Sequence, residues 1–417
     1  MVRQRRLRGV GRDHGGALLP SEDQTVALIA AFSGYAVGYL VRPIAGTIIG
    51  RFADTWGRRN TLILTIAGMS LGTAGIGFLP TYAQIGVAAT ILLVLMRVVQ
   101  SIGASAEYTT TAAFLLEHQP DNRKNRLGGY TAVGAFAGFG LAGLVAAALA
   151  TMMSEETFHA WGWRVAFLIA LPLAGIGLYM RKRLEDTPEF QWVKEKQAEL
   201  NVEQKPFSYA VRTQWKAMLL MFVLGAGNRG STFVLSVYLV PALILKGFSD
   251  VGSYSMLAFG NLAVCPVLVL AGIIADRIHE RNMLILGYAF TAASIVPIFM
   301  LVGSGQAGLA YVALALYAVG LGATMGPLTT MFVSVFPPDV RGTASGLTYN
   351  VVTTAIGSTA PIVGVWLTSR FGDLAVSYYL AFLSVLSLVA VLLARRFISS
   401  AKIRHSLSET GELAARL

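Results

Sequence analysis

The chain has 417 residues, 55% of them hydrophobic and only 13% charged, against roughly 25% charged in ordinary soluble domains. A mean hydropathy of +0.61 carried by long uncharged runs excludes a water-soluble body, and the single cysteine, Cys265, excludes a disulfide framework or a cysteine metal site. The formal net charge of +11 fits membrane topology better than nucleic-acid binding, because the basic residues cluster between apolar runs.

The start, Met1 to His14, is arginine-rich and lacks the apolar core and small-residue cleavage site of a secretory signal. Eleven apolar segments follow, each close to the roughly 20 residues that cross a bilayer as a helix. They cover 25–50, 60–80, 84–107, 128–152 and 161–180, then 217–244, 251–274, 283–303, 307–333, 342–369 and 374–394. Helix is expected throughout, because an open strand leaves backbone groups unsatisfied in lipid. The fold class is therefore an all-α polytopic membrane protein of five helices plus six. The polar interruption from Arg181 to Lys216, with Lys194, Lys196, Lys205 and Arg212, reads as a cytoplasmic loop.

Lysine and arginine set the orientation. One set of loops holds Arg51, Arg58 and Arg59, then Arg123, Lys124 and Arg126, the central loop, Arg277 and Arg281, Arg341, and the tail after Arg395. The alternate loops hold only Arg164, Lys246 and Arg370. The first set is cytoplasmic by the positive-inside rule, and so is the C-terminus. The N-terminus then falls outside, the wrong side for the cluster Arg3, Arg5, Arg6, Arg8 and Arg12.

An internal repeat joins the halves. GRFADTWGRR from Gly50 to Arg59 is echoed by GIIADRIHER from Gly272 to Arg281, each directly after an apolar helix. Pro120, Asp121, Asn122 and Arg123 are echoed by Pro338, Asp339, Val340 and Arg341. Two parallel bundles with matched loops are what alternating access needs, since one can rock against the other around a midplane site.

Gly50, Asp54, Gly57, Arg58 and Arg59 resemble the loop signature of the major facilitator superfamily. AVGYLVRPIAG from Ala36 to Gly46, the series Arg97, Gln100, Glu107, Tyr108, and the stretch from Trp161 to Phe190 resemble its metabolite:proton symporter family, which includes proline/betaine, α-ketoglutarate, citrate and shikimate carriers. The likeness runs from about Leu18 to the last helix. It implies a major facilitator fold of two helical bundles and divides the chain into a basic segment unmatched to the family (1–17), an N-terminal bundle lacking its first helix (18–182), a central loop (183–216), a six-helix bundle (217–396) and a tail (397–417). The resemblance assigns Asp54, Arg58, Arg59, Asp276 and Arg277 to a cytoplasmic gating network. Departures are His279 where the signature has glycine, implying a weaker second latch, and Ser101, Ser105 and Ala106 where glycines are usual.

A charge inside a membrane costs at least about 2.5 kcal/mol, so intramembrane ionisable residues are functional candidates. Four stand out: Arg42, Arg97, Glu107 and Arg229. Glu107 reads as a proton-coupling carboxylate or as an interfacial group near a helix end, and it is too far along the axis from Arg97 to pair with it. Arg97 matches the arginine of the superfamily's fourth-helix motif, which implies substrate or proton coupling; the plainer reading is a tie to helix carbonyls. Arg42 precedes Pro43, whose break in helical hydrogen bonding frees carbonyls that its guanidinium can satisfy. Arg229, beside Asn228, is placed to fork a substrate carboxylate. Tyr108 joins the candidates through the family series, and Tyr35, Tyr238 and Tyr349 are either pathway-lining or packing residues. Gly134, Gly138, Gly140 and Gly143 read as close helix packing, and Phe139 after Gly138 departs from the antiporter proline and favours symport.

The five histidines are scattered without metal-ligand spacing and no Walker A pattern occurs, so neither an enzyme, nor a metal or other cofactor, nor ATP as fuel is expected. The expectation is a monomeric, multi-pass protein of the plasma (inner) membrane. It carries a small carboxylate-bearing or zwitterionic metabolite together with H+, driven by the proton gradient, with the lipid bilayer and no nucleic acid as partner. The alternative, prompted by the missing helix, is a truncated transport-incompetent remnant or a membrane binding or sensing protein.

Overall fold

The computed structural model describes residues 24–56, 58–105, 107–117, 123–182, 207–337 and 340–394. The basic start, most of the central loop and the tail lie outside these residues. No strand occurs among the described residues. The apolar helices are α1 (Leu28–Ile49), α2 (Ile63–Gly77), α3 (Val87–Thr109), α4 (Lys124–Met152), α5 (Glu155–Tyr179), α6 (Ser208–Leu245), α7 (Asp250–Ile278), α8 (Glu280–Gly303), α9 (Ala307–Ser334), α10 (Gly342–Phe371) and α11 (Ala375–Leu393). Among the described residues ten are long and apolar enough to cross a membrane, and α2 is the shorter one because Arg58, Arg59 and Asn60 open its helix. The helix of α6 begins at Phe207, inside the stretch read as loop, with Arg212 and Lys216 exposed.

Helix α1 continues a helix from Gln24 that breaks at Val41, where Arg42–Trp56 starts afresh. Pro43 falls in that first turn, where its missing N–H costs nothing. A second break divides Val87–Ala104 from Glu107–Glu117, so Glu107 opens a helix instead of closing one. The cause is Ser105, whose hydroxyl and backbone N–H both donate to the Ile102 carbonyl and tighten the turn. Wider π turns interrupt α5 at Phe158–Gly162, α6 at Val234–Tyr238 and α10 at Thr353–Gly357.

Helices α1–α5 form one bundle and α6–α11 the other. Helices α2, α4, α8 and α10 all start at the end carrying Arg58, Lys124, Arg281 and Arg341, here termed the basic end. The seam between bundles runs along α4 and α7, packed antiparallel over nearly their full length, with α9 also against α4 and α10 against α1. Small residues set the distance: a Cβ on Gly129 would lie 2.6 Å from the Leu268 carbonyl oxygen, and one on Gly143 would lie 2.8 Å from the Ala258 nitrogen. Gly140 is equally crowded by Leu262, but Gly134 and Gly138 face open space, so only part of the expected glycine series is packing. Gly128 and Gly129 take that role one turn earlier. The largest buried cluster crosses the seam, joining Phe32, Tyr39, Ala132 and Phe136 to Phe233, Val264 and Leu268.

Candidate functional site

Arg229 lies midway along α6 and is 3% exposed. Its Nη2 donates to Asn228 Oδ1 at 3.1 Å and to Met325 Sδ at 2.7 Å, and its Nη1 donates to the Tyr349 hydroxyl at 3.2 Å. Nε has no partner. Asn228 is oriented by its own donation to Thr324 Oγ1 at 2.8 Å, which leaves its carbonyl oxygen for the guanidinium. The guanidinium carbon stands 5.0 Å from the Tyr349 ring centroid, within cation–π range. That ring stacks on Tyr108 of the first bundle, with centroids 4.7 Å apart and planes 11° from parallel. Tyr108 shares a 2.7 Å hydrogen bond with Thr329 Oγ1, and Phe332 sets its edge to Tyr349 at 5.9 Å.

The first bundle supplies two more guanidinium groups. Arg97 Nη1 donates to Gln100 Oε1 at 3.0 Å, and Gln100 Nε2 donates to Thr73 Oγ1 at 2.8 Å, tying α3 to α2. Its guanidinium carbon is 5.6 Å from the Tyr35 ring and 5.9 Å from that of Phe167. Arg42 corrects its expectation: it does not satisfy freed carbonyls but lies flat on Tyr39, 3.7 Å from the ring centroid, with Nε unpartnered. The Tyr39 ring lies one helical turn back, and the Val41 carbonyl is already taken by the Ala45 N–H. Tyr35 and Tyr39 share a hydroxyl hydrogen bond of 3.0 Å, and both rings meet Phe233 of the second bundle, at 6.3 and 5.4 Å. Thr354 closes this contact by donating to the Tyr39 carbonyl at 2.8 Å.

Among the described residues no carboxylate comes within ion-pair distance of Arg42, Arg97 or Arg229. Glu107 is half-buried at the start of its helix and joins none of the three. Tyr238 bonds Thr368 at 2.9 Å, inside the second bundle. The sequence reading missed Tyr39, Phe233, Thr329 and Asn350, the last donating across the seam to the Ser105 carbonyl at 2.9 Å. Tyr39 had a signal: it stands one helical turn after Tyr35.

At the basic end, Asp276 takes the backbone N–H of Asn125 at 2.8 Å and of Arg126 at 3.4 Å, so a second-bundle carboxylate caps the N-terminus of first-bundle helix α4. Arg277 beside it is exposed. His279 adopts φ +72°, the backbone of the glycine it replaces. In the first-half motif, Gly50 and Asp54 fall in the helix Arg42–Trp56, while Arg58 and Arg59 open the next one. Gly57 and the side chains of this motif lie outside the described residues. At the opposite end, His159 Nε2 and Asp250 Oδ2 bridge the bundles at 3.0 Å.

Two bundles of matched helices, aromatic contacts across their seam, a buried guanidinium beside it and two half-buried ones in the first bundle are the anatomy of a solute carrier. Residues 21–360 match the family model of the Major Facilitator Superfamily. The chain belongs to the major facilitator superfamily. It is 33% identical over 386 residues to the proline/betaine transporter of Salmonella typhimurium (strain LT2), covering 90% of this chain and 76% of the relative. It is 32% identical over 387 residues to the glycine betaine/proline/ectoine/pipecolic acid transporter OusA of Dickeya dadantii (strain 3937), with the same shares of 90% and 76%. The ectoine/proline transporter ProP of Corynebacterium glutamicum is 30% identical over 394 residues, again with 90% and 76% covered. The structure of the proton:xylose symporter XylE bound to 6-bromo-6-deoxy-D-glucose has the same fold, with a TM-score of 0.71 at 16% identity over 90% of this chain and 87% of that one. This major facilitator protein is thus a secondary transporter and not an enzyme, and its relatives lend no support to a transport-incompetent remnant or a sensor.

Proposed function

We propose that the chain carries a small zwitterionic or carboxylate-bearing solute by alternating access, in symport with protons, as a monomer in the plasma membrane with its C-terminus in the cytoplasm. The observation that carries this reading is Arg229, a buried guanidinium with an unpartnered Nε whose other contacts are a phenol, an amide oxygen and a thioether. A carboxylate is a stronger acceptor than any of these, and a charge-assisted, forked hydrogen bond is roughly twice as strong as a neutral one. Asn228 and Tyr108 frame the same site, while Arg97 and Arg42, with Tyr35 and Tyr39, offer cationic and aromatic faces on the other side of the seam, where Phe233 of the second bundle meets them. Aromatic faces attract an ammonium head, which suits the cationic end of a zwitterion. The substrates in the names of the relatives, proline, betaine and ectoine, share this pairing of charges.

Glu107 is the proton-coupling candidate, since a carboxylate at membrane depth can alternate between neutral and charged forms as access changes. Gly50, Asp54, Gly57, Arg58 and Arg59, with Asp276 and Arg277, serve gating at the basic end. No cofactor enters the scheme; the proton gradient drives it. The test is uptake into proteoliposomes under an imposed inward proton gradient, with radiolabelled proline, glycine betaine, ectoine, α-ketoglutarate and citrate. Accumulation of at least one, abolished when the gradient is collapsed, is the expected result; uptake of none would overturn the reading.

A further inference from the structure

Arg229 meets the seam at the Tyr108 hydroxyl of the first bundle, and Tyr349 touches both residues. Its hydroxyl accepts from Arg229 Nη1 at 3.2 Å, and its ring lies on Tyr108 at 4.7 Å. Arg229 and Tyr349 belong to the second bundle, and Tyr108 belongs to the first. Tyr349 is eight residues from the Arg341 start of its helix and Tyr108 nine from the Glu117 end of its own, so their stack lies about 12–14 Å inside the basic end. Thr329 fixes the Tyr108 hydroxyl and Phe332 fixes the Tyr349 edge, so neither ring is free to tilt without the other.

Resting on the reading of Arg229 as the substrate-binding arginine, we propose that Tyr349 is a positioning residue that transmits occupancy of Arg229 to the seam between the bundles. An anion at Arg229 competes for the N–H now given to the phenol, and the Tyr349 ring is released from the guanidinium that holds it over Tyr108. Occupancy and seam opening are then linked through the Tyr349 hydroxyl and ring stack, beside the guanidinium's own approach to Tyr108, a coupling by local contact and not by distance alone.

The chain carries its own reporter. Its single cysteine, Cys265, sits on α7 in the seam, with its thiol 3.9 Å from the Val133 carbonyl of α4. The rate of Cys265 alkylation by N-ethylmaleimide in native membranes therefore reads how often the seam opens. The experiment compares wild type, R229Q, Y349F and the double variant without any solute. Y349F keeps the ring stack and removes only the acceptor hydroxyl. Each single substitution is expected to change the alkylation rate by about threefold or more, and the double variant to match the larger single change, because both cut the same link. Unchanged single-variant rates, or changes that multiply in the double variant, overturn the relay. In a second arm, saturating L-proline or glycine betaine is expected to change the wild-type rate by a similar factor and the Y349F rate by far less. An equal response in both variants also overturns the relay. A non-additive cycle with a wild-type rate indifferent to either solute supports the relay and counts against the proposed substrates instead.

Discussion

Arg229 has five N–H groups and three acceptors, all neutral, in a place where water is scarce. Replacing it with glutamine removes the charge that attracts a carboxylate, a loss of about 2 kcal/mol for a charge-assisted bond and thus roughly 30-fold in KM. R229K keeps the charge without the fork and is expected to fall between the two in a concentration series of solute uptake. His279 supports a separate prediction. A non-glycine residue at φ +72° stores about 1 kcal/mol or more of backbone strain, so H279G is expected to raise the thermal unfolding midpoint of the purified protein in detergent. Both sites were partly legible in the sequence: a charge in an apolar helix and a histidine in a glycine place are visible without coordinates. The partners were not. That Arg42 stacks on Tyr39, and that Tyr349 reaches Tyr108, depends on how helices rotate about their own axes, and uniformly apolar segments hold no polar stripe to reveal that rotation.

At the scale of elements, length and apolarity located all eleven apolar helices, because the bilayer imposes a minimum span that few other structures need. Charge clusters marked their ends. The breaks inside them were harder to read: Val41 is announced by Pro43, but the turn at Ser105 depends on a hydroxyl choosing its own backbone over solvent. Glycines show the same limit, since a run of them does not say which one faces the neighbour. The structure separates them, and so will substitution. G129A thrusts a methyl toward the Leu268 carbonyl and is expected to cost about 1–3 kcal/mol by overpacking, with a matching loss of transport. G134A and G138A, facing open space, are expected to leave unfolding midpoint and uptake unchanged within error.

At the scale of the molecule, the repeat of the two loop motifs foretold two bundles, and the capping of α4 by Asp276 gives that repeat a physical task. The cap spans the seam at the basic end, so D276N, which removes the charge and replaces one of the two accepting oxygens with an amide donor, is expected to favour the state open at that end. Faster alkylation of the native Cys265, in the seam between α4 and α7, would register the shift. Glu107 bears on energy supply. E107Q is expected to retain exchange of labelled for unlabelled solute across the vesicle membrane and to lose accumulation driven by a pH gradient; retained accumulation would remove Glu107 from the coupling step.

The π turns of α6 and α10 begin at the residues that follow Phe233 and Val352, beside the rings and the Thr354 bond that join the bundles away from the basic end. Each such turn holds one residue more than an α-helical ladder requires. If that surplus residue moves along the helix by a turn, the side chains it passes swing by about 100° around the axis while the helix ends stay where they are. Phe233 can therefore leave Tyr39 by a local winding change, and a door built this way needs no hinge in the frame.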